Sequence, residues 1–193
     1  MSNSSTQRWE RYEQALLTAL GCTAAEGHPE RASYRLLVIP TFHPICACEY
    51  AFAERTATLR VAALPSVSNP LFDYFFGQQA QTTEVSAIEE AMFSCLEATV
   101  ALTDPAQLRQ RFISLARPEI DPRDLAARDG ANLRLDLLDP HGRATLHAQV
   151  GLLKESTALA GWVGLLIDTA LERIGDVRPA APLKHARSYL LPG

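Results

Sequence analysis

An α+β domain, with an antiparallel sheet of about five strands packed by helices, is the architecture that this sequence predicts. Three observations lead there. Alternating apolar runs come in neighbouring pairs joined by short polar turns, at residues 45–64 and again at 131–150. Apolar residues spaced three and four apart occupy stretches before, between and after those pairs. The resulting order (helix, three strands, three helical segments, two strands, helix) gathers strands into hairpins, whereas a parallel sheet would alternate strand with helix.

The first helix rests on Trp9, Tyr12, Leu16 and Leu20, which share one face, with Gly21 or Gly27 as its stop. Residues 34–39 are rich in β-formers and end at Pro40, and residues 45–52 begin after Pro44, which belongs at a strand's start because it has no amide to donate. Residues 56–64 alternate, with Leu59, Val61 and Ala63 on one side, and Ala53-Glu54-Arg55 makes a hairpin connection. Pro65, Asn69, Pro70 and Gly77 mark residues 65–80 as a connection. Ser86 and Glu89 read as a capping box opening a helix that buries Ile88, Met92, Cys95 or Leu96, and Thr99. Asp104-Pro105 opens a helix carrying Leu108, Phe112 and Leu115, and Asp121-Pro122 opens a short turn closing at Gly130. Leu133, Leu135 and Leu137 then alternate with Asn132, Arg134 and Asp136, and Asp139-Pro140-His141-Gly142 turns the chain back. This hairpin is apolar on one face and polar on the other, as a sheet covered on one side would be. A last helix spans about residues 156–174 with Gly175 as its cap. One domain fills residues 1–193, with 1–6 and 176–193 as irregular tails, the latter because of Pro179, Pro182 and Pro192.

Charge and cysteine usage narrow the function. Residues 1–100 carry six arginines against eleven acids, and residues 101–193 carry twelve bases against eleven acids. Neither half holds the clustered basic surface that phosphate binding needs, so nucleic acid is not an expected ligand. An acidic first half suits a basic protein partner. No basic-then-apolar leader opens the chain, and the longest apolar stretch, residues 158–167, is too short to span a bilayer, so the expected location is cytoplasmic with no membrane partner. Cys22, Cys46, Cys48 and Cys95 then read as thiols and not as a disulfide framework.

Three features carry candidate chemistry. His43, Cys46, Cys48 and Glu49 form the densest reactive cluster, and His43, Cys46 and Cys48 are the candidates for a metal site or an activated thiol. A second close ligand pair is missing, so core packing explains the two cysteines better, and no cofactor is expected. The polar face of the late hairpin presents Arg134, Asp136, Thr145, His147 and Gln149 within cross-strand reach. No serine elbow, paired-carboxylate pattern or phosphate loop accompanies them, which argues against catalysis. Finally, Phe72, Asp73, Tyr74 and Phe76 crowd one connection; exposed there, such rings would anchor an interface.

The segments Tyr34-Arg35-Leu36-Leu37-Val38-Ile39-Pro40-Thr41-Phe42-His43-Pro44 and Asp129-Gly130-Ala131-Asn132-Leu133-Arg134-Leu135 resemble a group of small bacterial proteins of unknown function. In size, acidity and layout the chain also resembles the immunity proteins that neutralise bacterial toxins. Its element order is similar to that of type III secretion chaperones. These likenesses imply a non-catalytic, protein-binding role toward a toxin or a secreted effector. Phe72, Asp73, Tyr74, Phe76, Arg134, Asp136, His147 and Gln149 are the expected contact residues. A metal- or thiol-dependent enzyme using His43, Cys46 and Cys48 is the rival expectation.

Overall fold

The computed structural model describes residues 3–22, 32–41, 43–65, 69–77, 83–118 and 131–191. Six strands form one antiparallel sheet: β1 (Ala32–Pro40), β2 (Ile45–Phe52), β3 (Ala57–Leu64), β4 (Leu96–Ala101), β5 (Ala131–Asp139) and β6 (Gly142–Gln149). Their order across the sheet is β4-β3-β2-β1-β5-β6. Six helices are seen among the described residues: α1 (Asn3–Ala19), α2 (Pro70–Phe76), α3 (Glu84–Ser94), α4 (Pro105–Ser114), α5 (Thr157–Ile174) and α6 (Ala180–Leu190). The α+β class and the hairpin grouping therefore stand.

The alternation of each strand sends its side chains to two separate cores. Tyr34, Leu36 and Val38 of β1 join Cys46, Cys48 and Tyr50 of β2 and Leu133, Leu135 and Leu137 of β5 against α4, α5 and α6. Leu37, Ile39, Ile45, Ala47, Ala62 and Leu64 point the other way, against α1, α2 and α3. Both faces are covered, so the polar side of the late hairpin is not a bare outer surface. At the centre of the first core, the Phe112 ring stacks on Tyr34 at 4.6 Å and lies 5.7 Å from Trp162. Two polar side chains there bond to backbone: Tyr50 donates its hydroxyl to Leu166 O at 2.7 Å, and Trp162 Nε1 donates to Ala116 O at 3.0 Å, whereas the buried Tyr34 hydroxyl meets no partner among the described residues.

Several expectations need correction. The sixth strand, β4, lies where a continued helix was expected. Helix α3 stops at Ser94, and the β-branched Thr99 and Val100 pair antiparallel with β3. The cap of α3 sits three residues earlier than the expected Ser86, because Thr83 Oγ1 accepts from Ser86 N at 3.2 Å. Its buried face consists of Ala87 and Ala91, while Met92 is exposed. The aromatic connection is itself helical: Asn69 caps α2 by accepting from Phe72 N at 2.9 Å, and Pro70 takes the first helical position. The stretch expected as a C-terminal tail forms α6, whose Pro182 falls in the first turn, where a missing amide breaks no intrahelical bond. At the other end, α1 already begins at Asn3. The expected turn from Asp121-Pro122 to Gly130, and the alternative stop at Gly27, lie outside the described residues.

The α1 stop shows how local sequence meets tertiary contact. Gly21 sits at φ +64°, where a side chain is strained, and a Cβ there would collide with the Arg60 guanidinium. That guanidinium donates from Nε to Leu20 O at 3.1 Å, so a strand cation caps the negative end of α1.

Candidate functional site

Beneath α1, one row of side chains crosses the whole sheet. The strand pairings place Thr99, Arg60, Glu49, Arg35, Asp136 and Thr145 in successive cross-strand register from β4 to β6. Charges alternate along the four inner positions. Arg35, only 4% exposed, donates from Nη2 to Glu49 at 2.6 Å and from Nη1 to Asp136 at 3.4 Å. Thr145 donates its hydroxyl to Asp136 at 2.7 Å. At the outer end Arg60 pairs with Glu97.

The next row adds Arg134 and His147, directly opposite each other on β5 and β6. Glu13 of α1, buried in the helix–sheet interface, lies above them. Its carboxylate accepts from Trp9 Nε1 at 2.8 Å and sits 3.4 Å from Arg134 Nη1 and 3.3 Å from His147 Nδ1. Arg134 also reaches Asp136 at 3.2 Å. The hydrogen bond to Glu13 holds the His147 pKa above its ordinary value despite partial burial, which acts the other way. A histidine raised in the folded state stabilises fully below its unfolded pKa of about 6.5, and loses that contribution as pH rises through the folded value. His147→Gln is therefore expected to lower the urea midpoint more at pH 5.5 than at pH 8.5. An equal loss at both would show that the Glu13 contact does not depend on the proton.

The carboxylates of this cluster are all engaged. Glu13, Glu49 and Asp136 each already hold a guanidinium, so none stands as a free base, and the Thr145 hydroxyl is committed to Asp136, while Thr99 lies exposed at the far end of the row. Of the expected contact residues on the hairpin, Arg134, Asp136 and His147 come together as predicted, but Arg134 and His147 meet Glu13 of the chain's own α1 and Asp136 meets Arg35 and Thr145 of the sheet. Gln149 lies half-buried opposite Asn132 at the end of β6.

The aromatic group divides. Leu71 and Phe75 enter the core, and Tyr74 and Phe76 are half-buried. Trp9 lies 5.8 Å from Phe76 and 5.4 Å from Tyr12, so one residue of α1 joins the aromatic cluster to the charged row. Phe72 and Asp73 face outward. With Phe72, 45% exposed on α2, come exposed apolar residues of the adjoining α3: Phe93 is 95% exposed, Val85 65% and Met92 51%. The same two helices expose Asp73, Glu89 and Glu90 and carry no lysine or arginine, while Arg11 of α1 pairs with Glu84 at their edge.

The cysteine cluster resolves as architecture. Cys46 and Cys48 are fully buried in the core beneath α5 and α6, and desolvation pushes the Cys46 thiol up to about 12 and that of Cys48 well above its ordinary value. His43 turns toward α6, its ring 4.2 Å from His185 and stacked 5.7 Å from Tyr189. Among the described residues, no three His, Cys, Asp or Glu side chains come together as metal ligands would. Both core thiols are expected to stay unmodified by a disulfide reagent at pH 8 until denaturant is added. Rapid labelling of either in the folded protein would revive a thiol role.

Sequence reasoning missed Glu13, Arg35, Arg60 and the exposed pair Met92 and Phe93. Alternation did mark Arg35 as a polar residue in an apolar strand, and that was the available signal. Glu13 carried only its place four residues after Trp9, because its sheet partners, Arg134 and His147, lie more than a hundred positions away. Among the described residues, no helix is long and apolar enough to cross a membrane. No protein-family model, curated protein or solved structure matches this chain.

Proposed function

We propose that this chain is a non-catalytic protein-binding module, most concretely an immunity protein that occludes a bacterial toxin. One observation carries the reading. Phe72, Val85, Met92 and Phe93 account for four of the five exposed large hydrophobic residues among those described, and all lie on α2 and α3. Isolated exposed apolar residues are ordinary, but a clustered strip within a polar rim is the surface of an interface. The surrounding acids select a basic partner and speed its encounter. The charge row adds support, because its carboxylates are engaged with guanidinium groups and none of them stands as a free base.

Co-expression with the neighbouring gene product, followed by affinity capture and a toxicity-protection assay, tests the role. Phe93→Asp is expected to weaken such a complex about thirtyfold or more, as loss of a central aromatic anchor does. The unfolding free energy should stay within about 0.5 kcal/mol of the parent, because the ring contributes nothing to the core. A protein that captures no partner and gives no protection would overturn the proposal. The same apolar strip also suits a secretion chaperone, which predicts a homodimer in light scattering and binding to an effector instead of a toxin.

A further inference from the structure

We propose that the outer edge of β4 is a strand-addition site for an extended partner segment in which basic and apolar residues alternate. This rests on the protein-binding reading above and specifies how the partner engages. The sheet is open, and β4 is one of its two ends. Its inner side is paired with β3 throughout, from Ala63 opposite Leu96 to Thr58 opposite Ala101. Along the outer side, no described backbone group meets its amides and carbonyls. Natural edges are usually blunted by lysine, proline, a bulge or a covering element. β6, at the opposite end, carries Arg143 and His147, whereas Leu96-Glu97-Ala98-Thr99-Val100-Ala101 has no basic residue and no proline. The most exposed large hydrophobic residue among those described, Phe93, stands just before this strand.

The register sets the partner's pattern. Leu96, Ala98 and Val100 lie on the half-buried side shared with Leu59 and Val61, while Glu97, Thr99 and Ala101 lie on the exposed side shared with Arg60. An added strand sends alternate residues to these two sides. Apolar residues therefore suit the first side and bases the second, beside the exposed Glu97, whose carboxylate also holds Arg60. A second copy of this chain fits poorly, since it would bring the same acids against themselves without a basic residue in either edge.

The probe is a synthetic octapeptide of alternating arginine and valine, titrated into the isotope-labelled full chain and followed by backbone amide shifts. The expected result is saturable perturbation of residues 96–101 that weakens with added salt. Methylating every peptide nitrogen should weaken binding about tenfold or more, the equivalent of two lost edge hydrogen bonds. A glutamate-valine peptide should leave the spectrum unchanged. Ala101→Lys, at an exposed position opposite Thr58, should weaken the arginine peptide while leaving the parent fold intact. Perturbation at Val85, Met92 and Phe93 alone, with equal binding of the methylated peptide, would overturn strand addition and leave the docking face standing. Shifts in residues 96–101 that track protein concentration without peptide would make a second copy the occupant and overturn the basic segment. A peptide that perturbs neither region would remove strand addition outright, while toxin or effector capture by the parent chain separately decides the protein-binding reading.

Discussion

Replacing Arg35 by methionine is expected to lower the unfolding free energy by about 3 kcal/mol, the cost of leaving partly buried carboxylates without their cation. Arg35 stands between Glu49 and Asp136 in the middle of the sheet, and its side chain is almost wholly enclosed. Asp136 keeps Arg134 and Thr145, but Arg35 is the only guanidinium seen to hold Glu49. Most of the loss therefore falls on Glu49, whose charge is left without a cation in a largely enclosed position. Adding Glu49→Leu should restore part of the stability, because the bare charge goes with it. Urea denaturation at pH 8 of the parent, the Arg35→Met variant and the double variant measures this. A deficit below about 1 kcal/mol at pH 8 would mean that water screens the row as it does a surface pair.

Phe112→Ala is expected to cost about 4 kcal/mol, because it combines lost burial with a cavity that its neighbours cannot close. Its ring contacts Tyr34, Tyr50, Phe52 and Trp162, which come from two strands and α5, while Phe112 itself belongs to α4. The loss should appear in thermal unfolding together with a weakened near-ultraviolet aromatic signal. Phe112→Leu should cost clearly less, since it keeps most of the volume. Equal losses for the two would show that ring geometry outweighs the cavity.

Local pattern made five of the six strands legible to within a few residues, because alternation and turn chemistry reside in adjacent positions. β4 was hidden by coincidence: Ile88, Met92 and Leu96 continue a four-residue spacing straight across the point where α3 ends. Proline misled at both α2 and α6. Pro70 and Pro182 read as breaks, yet each stands in a first turn, where its missing amide costs nothing. Arg134, Asp136 and His147 could be named as one polar cluster from the hairpin alone. That α1 covers them could not, since the contact through Glu13 depends on packing across the length of the chain.

The alternating row of charges also bears on how the strands find their partners. A slip of one residue turns every leucine outward and is penalised by the hydrophobic pattern. A slip of two keeps each side chain on its proper face, and apolar residues alone scarcely distinguish it. In β2, such a slip would set Arg35 opposite Ala47 or Ala51 instead of Glu49, stranding charges on both strands. The pairing of β1 with β5 faces the same hazard across an intervening chain of about a hundred residues, and Arg35 opposite Asp136 resolves it in the same way. The row thus works as a proofreading mark for assembly of the sheet, which predicts misregistered and slowly refolding species once Arg35 is gone.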